Sequence, residues 1–171
     1  MTTQQWRIRP ASEADAPAIL EIFDGVIDWF VAMGNTEQWG TEPWSTSERQ
    51  IGRVTAECAL PGAWVAEHAD AGVVGALVLG EASDYAPPVV EPELYVRLLI
   101  ASRDPRARGA GRRLLSFADD EARGAGVSSL RVDCYGGGDG ALVRFYESCG
   151  YERLSTFDDD GWPGQLLGRS L

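Results

Sequence analysis

Three features of the amino-acid sequence predict an α/β fold, with helices packed on a mixed sheet. Its periodic segments run strand-helix-helix-strand-strand-strand-helix-strand-helix-strand-strand. One of those strands, Leu94 to Ala101, is apolar at nearly every position except Arg97, the pattern of a central strand buried on both faces. The length of 171 residues, without internal repeat or low-complexity linker, suits a single domain spanning 1–171.

The elements follow in order. Trp6 to Arg9 reads as a short opening strand. Ser12 stands where an N-cap would, with Asp15 three residues on. Ile19, Leu20, Phe23, Val26, Ile27, Phe30 and Val31 then recur at three- and four-residue spacing, giving a long amphipathic helix that ends near Gly34. Ser47 before Ile51, Val54 and Cys58 starts a second helix, stopped by Pro61 and Gly62. Ala63 to His68 and Val73 to Gly80 form a predicted β-hairpin across Ala-Asp-Ala-Gly. Residues 81 to 92, with three prolines and several acids, form a loop before the central strand. A helix over Gly109 to Ala125 carries Leu114, Leu115, Phe117, Ala118 and Ala122 on one face. A strand from Leu130 to Tyr135 follows, so that Leu94 to Tyr135 makes a parallel strand-helix-strand crossover. A short helix, Ala141 to Ser148, and strands near Tyr151 to Phe157 and Gln165 to Leu171 complete the chain, with Trp162 on the loop joining those strands.

Composition narrows the function. The formal charge is −11, and all fifteen basic residues are arginine. The absence of lysine removes any Schiff-base lysine or P-loop lysine, and the acidic balance argues against nucleic-acid or anionic-membrane partners. Three cysteines without C-x-x-C spacing and a lone His68 argue against a disulfide framework, and no metal site is expected. The longest weakly polar run, Val73 to Gly80, is far short of the ~20 residues of a membrane helix. Met1 to Pro10 lacks a signal-peptide core, and a cytoplasmic location is expected.

The charge is uneven. Arg103, Arg106, Arg108, Arg112 and Arg113 stand against Asp104 alone, around Arg106-Ala107-Arg108-Gly109-Ala110-Gly111 at a strand-to-helix junction. Glycines there let backbone approach a ligand, and the free N–H groups of a first helical turn favour an anion. The same segment also reads as a plain helix start with solvated arginines. A dinucleotide fingerprint would need a third glycine where Leu114 stands.

These residues resemble the signature of the GCN5-related N-acetyltransferases (GNAT), Gln or Arg-x-x-Gly-x-Gly or Ala after the fourth strand, which Arg106 to Gly111 matches at every specified position. A second family block, Asn-x-x-Ala-x-x-x-Tyr before Gly-Phe, is matched in part by Asp139, Leu142, Tyr146 and Gly150-Tyr151, with Asp139 in place of Asn and Leu142 in place of Ala. The resemblance covers almost the whole chain. It implies a mostly antiparallel sheet of about seven strands with about four helices and splayed central strands, binding acetyl-coenzyme A. It further implies that Leu98, Leu99 and Ile100 flank the thioester, that Arg106, Ala107, Arg108, Gly109, Ala110, Gly111 and Arg112 cradle the pyrophosphate, and that Asp139 lies by the pantetheine arm. Tyr146, in the family's tyrosine position, is then the general acid that protonates the departing thiolate.

Glu93 and Asp133 are the candidate general bases, with a water chain as the alternative to either. Cys134 receives no role. Trp29, Trp39 and Trp44 concentrate in a polar, helix-breaking stretch, where they suit either the wall of an amine pocket or core packing. Trp162 suits closure of that pocket or a homodimer contact. The leading reading is an acetyl-coenzyme A dependent N-acetyltransferase of a small, cationic, antibiotic-like amine. A protein amino terminus or lysine is the alternative acceptor, a non-catalytic acetyl-coenzyme A binding module a second class, and a nucleotide-binding oxidoreductase a third.

Overall fold

The computed structural model describes residues 6–171 and shows seven strands and four α-helices in the predicted order. The strands are β1 (Trp6–Pro10), β2 (Ala63–His68), β3 (Gly72–Gly80), β4 (Leu94–Ala101), β5 (Ser129–Tyr135), β6 (Glu152–Asp159) and β7 (Trp162–Ser170). The helices are α1 (Ala16–Ala32), α2 (Glu48–Cys58), α3 (Ala110–Gly124) and α4 (Ala141–Ser148). The strands belong to one mixed sheet of order β1-β2-β3-β4-β5-β7-β6, in which the β4–β5 pair is parallel and the pairs β1–β2, β2–β3, β5–β7 and β6–β7 are antiparallel. The chain divides into two compact units, one up to Val78 together with Leu98–Leu114, the other Leu79–Arg97 with Leu115–Leu171.

In the first unit a core cluster joins α1, α2, β2, β3 and β4. Ile19, Phe23, Val26 and Ile27 of α1 meet Val54 and Cys58 of α2, Val65, Ala76 and Ile100. The periodic stripes of α1 and α2 are narrower than predicted: Val31 and Ile51 are exposed. A 3₁₀ turn, Glu13–Asp15, precedes α1, and the Ser12 N–H donates to the Asp15 carboxylate at 2.9 Å. Arg9 on β1 donates to both oxygens of Asp15, at 3.1 and 2.8 Å, and to Glu67 at 2.8 Å. These bonds tie the entry of α1 to the β1–β2 pair and hold the Asp15 carboxyl below its usual pKa. Ser47 caps α2 as expected, accepting from the Gln50 N–H at 3.3 Å.

In the second unit, the last two strands turn about Asp160-Gly161, with φ of 49° and 87°. Both central residues of this two-residue turn have positive φ, as a tight Asp-Gly hairpin requires. β7 therefore begins at Trp162, not Gln165, and Trp162 is a strand residue paired with Asp159, correcting its placement on a loop. Gly150, at φ +94°, closes α4. A Cβ there would fall 1.6 Å from a guanidinium nitrogen of Arg169, which donates to the Cys149 carbonyl at 2.8 Å and pairs with Asp119 at 3.0 Å. No helix among the described residues is long and apolar enough to cross a membrane.

Gly150→Ala should cost about 2–3 kcal/mol of unfolding free energy, by strain and by displacing Arg169 from Asp119. Gly25→Ala, exposed in mid-α1 with open space at its Cβ, should add about 0.5–1 kcal/mol. Urea midpoints of the two variants, moving in opposite directions, check both.

Candidate functional site

The arginine-rich segment is built in the first unit. Asp104 accepts from the Arg106 backbone N–H at 2.9 Å and from its guanidinium at 3.0 and 2.7 Å, opening a 3₁₀ turn over Pro105–Ala107. These bonds hold the Asp104 carboxyl down at about 2. Gly109, at φ +85°, then turns the chain into α3. The first helical bond runs from the Arg113 N–H to the Gly109 carbonyl at 3.1 Å, and no acceptor among the described residues takes the N–H groups of Gly109, Ala110 and Gly111 ahead of it. Ala107 and Ala110 are buried and fix the loop, while Arg108 and Arg112 are exposed.

The five arginines are not equivalent. Arg106 is neutralised by Asp104, Arg103 lies 3.8 Å over the Trp29 ring, and Arg113 lies 5.0 Å from the Trp6 ring centroid. Arg108, just before the free N–H groups, has no partner among the described residues. A positive helix end carrying open donors and an uncommitted guanidinium is a site for an anion.

On β4, Leu98 and Ile100 face the core cluster of the first unit. The register with β5 covers only Leu94–Val96 against Leu130–Val132, so Leu98, Leu99 and Ile100 lie beyond its last pair. The three tryptophans have separate fates. Trp44 is buried, stacked on Phe23 at 4.2 Å, and Trp39 fills the cluster between Phe23 and Phe30 at 5.1 and 5.4 Å. Trp29 is the exposed one, with Arg103 over its face.

The second unit holds the other candidates. Both Glu93 oxygens accept from Arg131, at 2.6 and 2.7 Å, in a nearly buried bidentate pair. Glu93 is thereby committed to a structural cation. Asp133 differs: Oδ2 accepts from Ser83 at 2.9 Å and from the Tyr95 hydroxyl, while Oδ1 has no partner among the described residues. Burial, with the bond to Asp133, pushes the Tyr95 phenol up. Tyr146 on α4 is buried, its ring edge-on to Phe145 and Tyr151 at 5.4 and 5.7 Å. Burial raises its phenol well above the ordinary value. Asp139 is an exposed cap on α4: Oδ1 accepts from the Ala141 N–H at 2.9 Å and its carbonyl from Arg144 at 2.5 Å. Among the described residues no group of metal-ligating side chains comes together.

Sequence reasoning missed Ser83 and Tyr95. Ser83 lies fifty residues from Asp133 in a loop without periodicity, and the register of β4 on β5 that brings Tyr95 to Asp133 leaves no local signal.

Residues 24–151 match the family model described as acetyltransferase (GNAT) family. No curated protein matches. Among solved structures, the chain is similar to the PaiA N-acetyltransferase of Thermoplasma acidophilum in complex with coenzyme A, at 17% identity and TM-score 0.69 over 97% of this chain and 99% of that one. It is also similar to the ribosomal-protein-alanine N-acetyltransferase of Brucella melitensis (22%, TM-score 0.64, 96% and 99%) and to a GCN5-related N-acetyltransferase of Kribbella flavida (19%, TM-score 0.70, 98% and 99%).

Burial pushes the thiols of Cys58 and Cys134 up to about 11 and about 12, so both stay protonated, and inert as nucleophiles, through neutral pH. Alkylation of the native protein at pH 7.5 should modify the half-exposed Cys149 alone. Equal labelling of Cys134, read by peptide mass spectrometry, would contradict this.

Proposed function

Because this chain belongs to the GNAT acetyltransferase family, we propose that residues 1–171 act as one domain that transfers the acetyl group of acetyl-coenzyme A to the primary amine of a small, cationic molecule. The observation that carries the cofactor assignment is the start of α3, where open N–H groups of Gly109, Ala110 and Gly111 adjoin the unpartnered Arg108 within the segment the family model matches. That donor set fits a pyrophosphate, with Arg112 exposed on the same helical turn. Bound there, acetyl-coenzyme A supplies an acetyl group activated as a thioester.

The remaining roles rest on the chain's own residues. Beyond Val96 the β4 backbone at Leu98, Leu99 and Ile100 has no β5 partner, which supports it as the donor that polarises the thioester carbonyl. Tyr146 keeps its proton throughout neutral pH, which supports it as donor to the departing sulfur. Asp133 Oδ1 is open while Oδ2 is fixed by Ser83 and Tyr95, which supports Asp133 over Glu93 as acceptor of the ammonium proton. A small cationic acceptor is supported by the second unit, which holds fourteen acidic residues against six arginines.

Thiol release from acetyl-coenzyme A with a panel of amines tests the reading. Tyr146→Phe should lower kcat by ten- to a hundredfold with coenzyme A affinity unchanged, whereas Gly109→Val and Arg108→Ala should weaken coenzyme A at least fivefold. Asp133→Asn should lower turnover with coenzyme A affinity unchanged. A protein that binds coenzyme A but releases no thiol with any amine would instead be a binding module.

A further inference from the structure

The core packing of Trp39 and Trp44 and the arginine over Trp29 leave the acceptor without the aromatic wall that sequence suggested. A second aromatic set lies in the other unit, on the sheet face that bears Asp133. Directly opposed residues of an antiparallel pair share a face, and so do residues two apart on a strand. Tyr135 opposes Gly164, Gly164 opposes Phe157, and Trp162 opposes Asp159, so Asp133, Tyr135, Phe157, Asp159 and Trp162 all project from one side.

The set is built, not incidental. Gly164 is its floor, since a Cβ there would sit 2.2–2.6 Å from the Phe157 ring. Tyr135 and Trp162 are 5.5 Å apart, Phe157 and Trp162 6.3 Å. Over Phe157 lies Tyr85, from the proline-rich loop, its ring parallel at 4.8 Å and its hydroxyl donating to Asp159 at 2.7 Å. Two residues earlier the same loop places Ser83 on Asp133.

Charge identifies the occupant. Residues 81–93 hold four acids and no base, and 158–160 are three aspartates. On this face the charge of Arg131 is matched by Glu93, and Arg97 donates to the Glu81 carbonyl at 2.9 Å. Rings with negative faces amid an excess of carboxylates attract an organic cation and disfavour a carboxylate-bearing one.

We propose that Tyr85, Phe157, Trp162 and Asp159 form the binding surface for the acceptor, and that the acceptor is an aryl- or alkylammonium, its nitrogen directed toward Asp133. This rests on the acetyltransferase reading for its consequence in turnover, and the test separates the two. Isothermal titration of the full chain would use phenethylamine, tyramine and hexylamine, all protonated at pH 7, with phenethyl alcohol and phenylalanine as uncharged and carboxylate-bearing counterparts. At least one amine should bind five- or more-fold tighter than its counterpart. Tyr85→Ala and Asp159→Asn should each weaken it at least fivefold and raise its KM with coenzyme A affinity unchanged, and Trp29→Ala should leave it unaltered. Tyr85→Phe, which keeps the stacking on Phe157, should retain more affinity than Tyr85→Ala; thermal midpoints show that the exposed Tyr85 variants stay folded. Equal binding of alcohol and amine, no binding of any of the three amines, or amine affinity indifferent to Tyr85→Ala overturns the proposal. Amine binding at this surface without thiol release overturns the acetyltransferase reading alone.

Discussion

Three residue pairs carry the parallel contact between β4 and β5, Leu94–Val96 against Leu130–Val132, and that short ladder sets the terms for the second unit. Two polar links bracket it on one face. At its start Arg131 grips Glu93 through two short bonds in a nearly buried pair, and at its end Asp133 takes the Tyr95 hydroxyl. Removing one partner of such a buried pair leaves an uncompensated charge, typically a loss of about 3–5 kcal/mol. The same arrangement divides the carboxylates by task. Glu93 holds strands together with both oxygens, and Asp133 is held by one oxygen and keeps the other open.

The arginine-rich loop shows how far a charge count is from an electrostatic site. Five arginines against one aspartate suggest a broad positive patch, but ring stacking and a bidentate ion pair engage Arg103, Arg106 and Arg113. What remains for a ligand is narrower and better aimed: Arg108 and the amides at the start of α3. Arg106 and Asp104 shape the turn that presents those amides, so the first arginine of the family signature has a conformational duty here.

Much of the architecture was legible in the residues. The order of elements, the cap at Ser47 and the glycine turn into α3 all follow from local rules of periodicity and capping, which need only a few neighbouring residues. The Asp160-Gly161 turn carries an equally local signal, an Asp-Gly pair that starts β7 at Trp162. The site was less legible because its contacts are long-range. Aromatics in a polar stretch look alike whether they stack on Phe23 in a core, as Trp44 does, or stand exposed under an arginine, as Trp29 does. Nothing near Tyr85 in the chain announces Phe157, more than seventy residues away.

An acetyltransferase keeps an activated acyl donor at hand, and any flexible primary amine on its own surface competes for it. Guanidinium stays protonated at every physiological pH and is a poor acyl acceptor, whereas the ε-amine of lysine is a competent one. With arginine at all fifteen basic positions, Arg103 to Arg113 included, this chain carries its positive charge without offering an acyl donor a side-chain amine to modify.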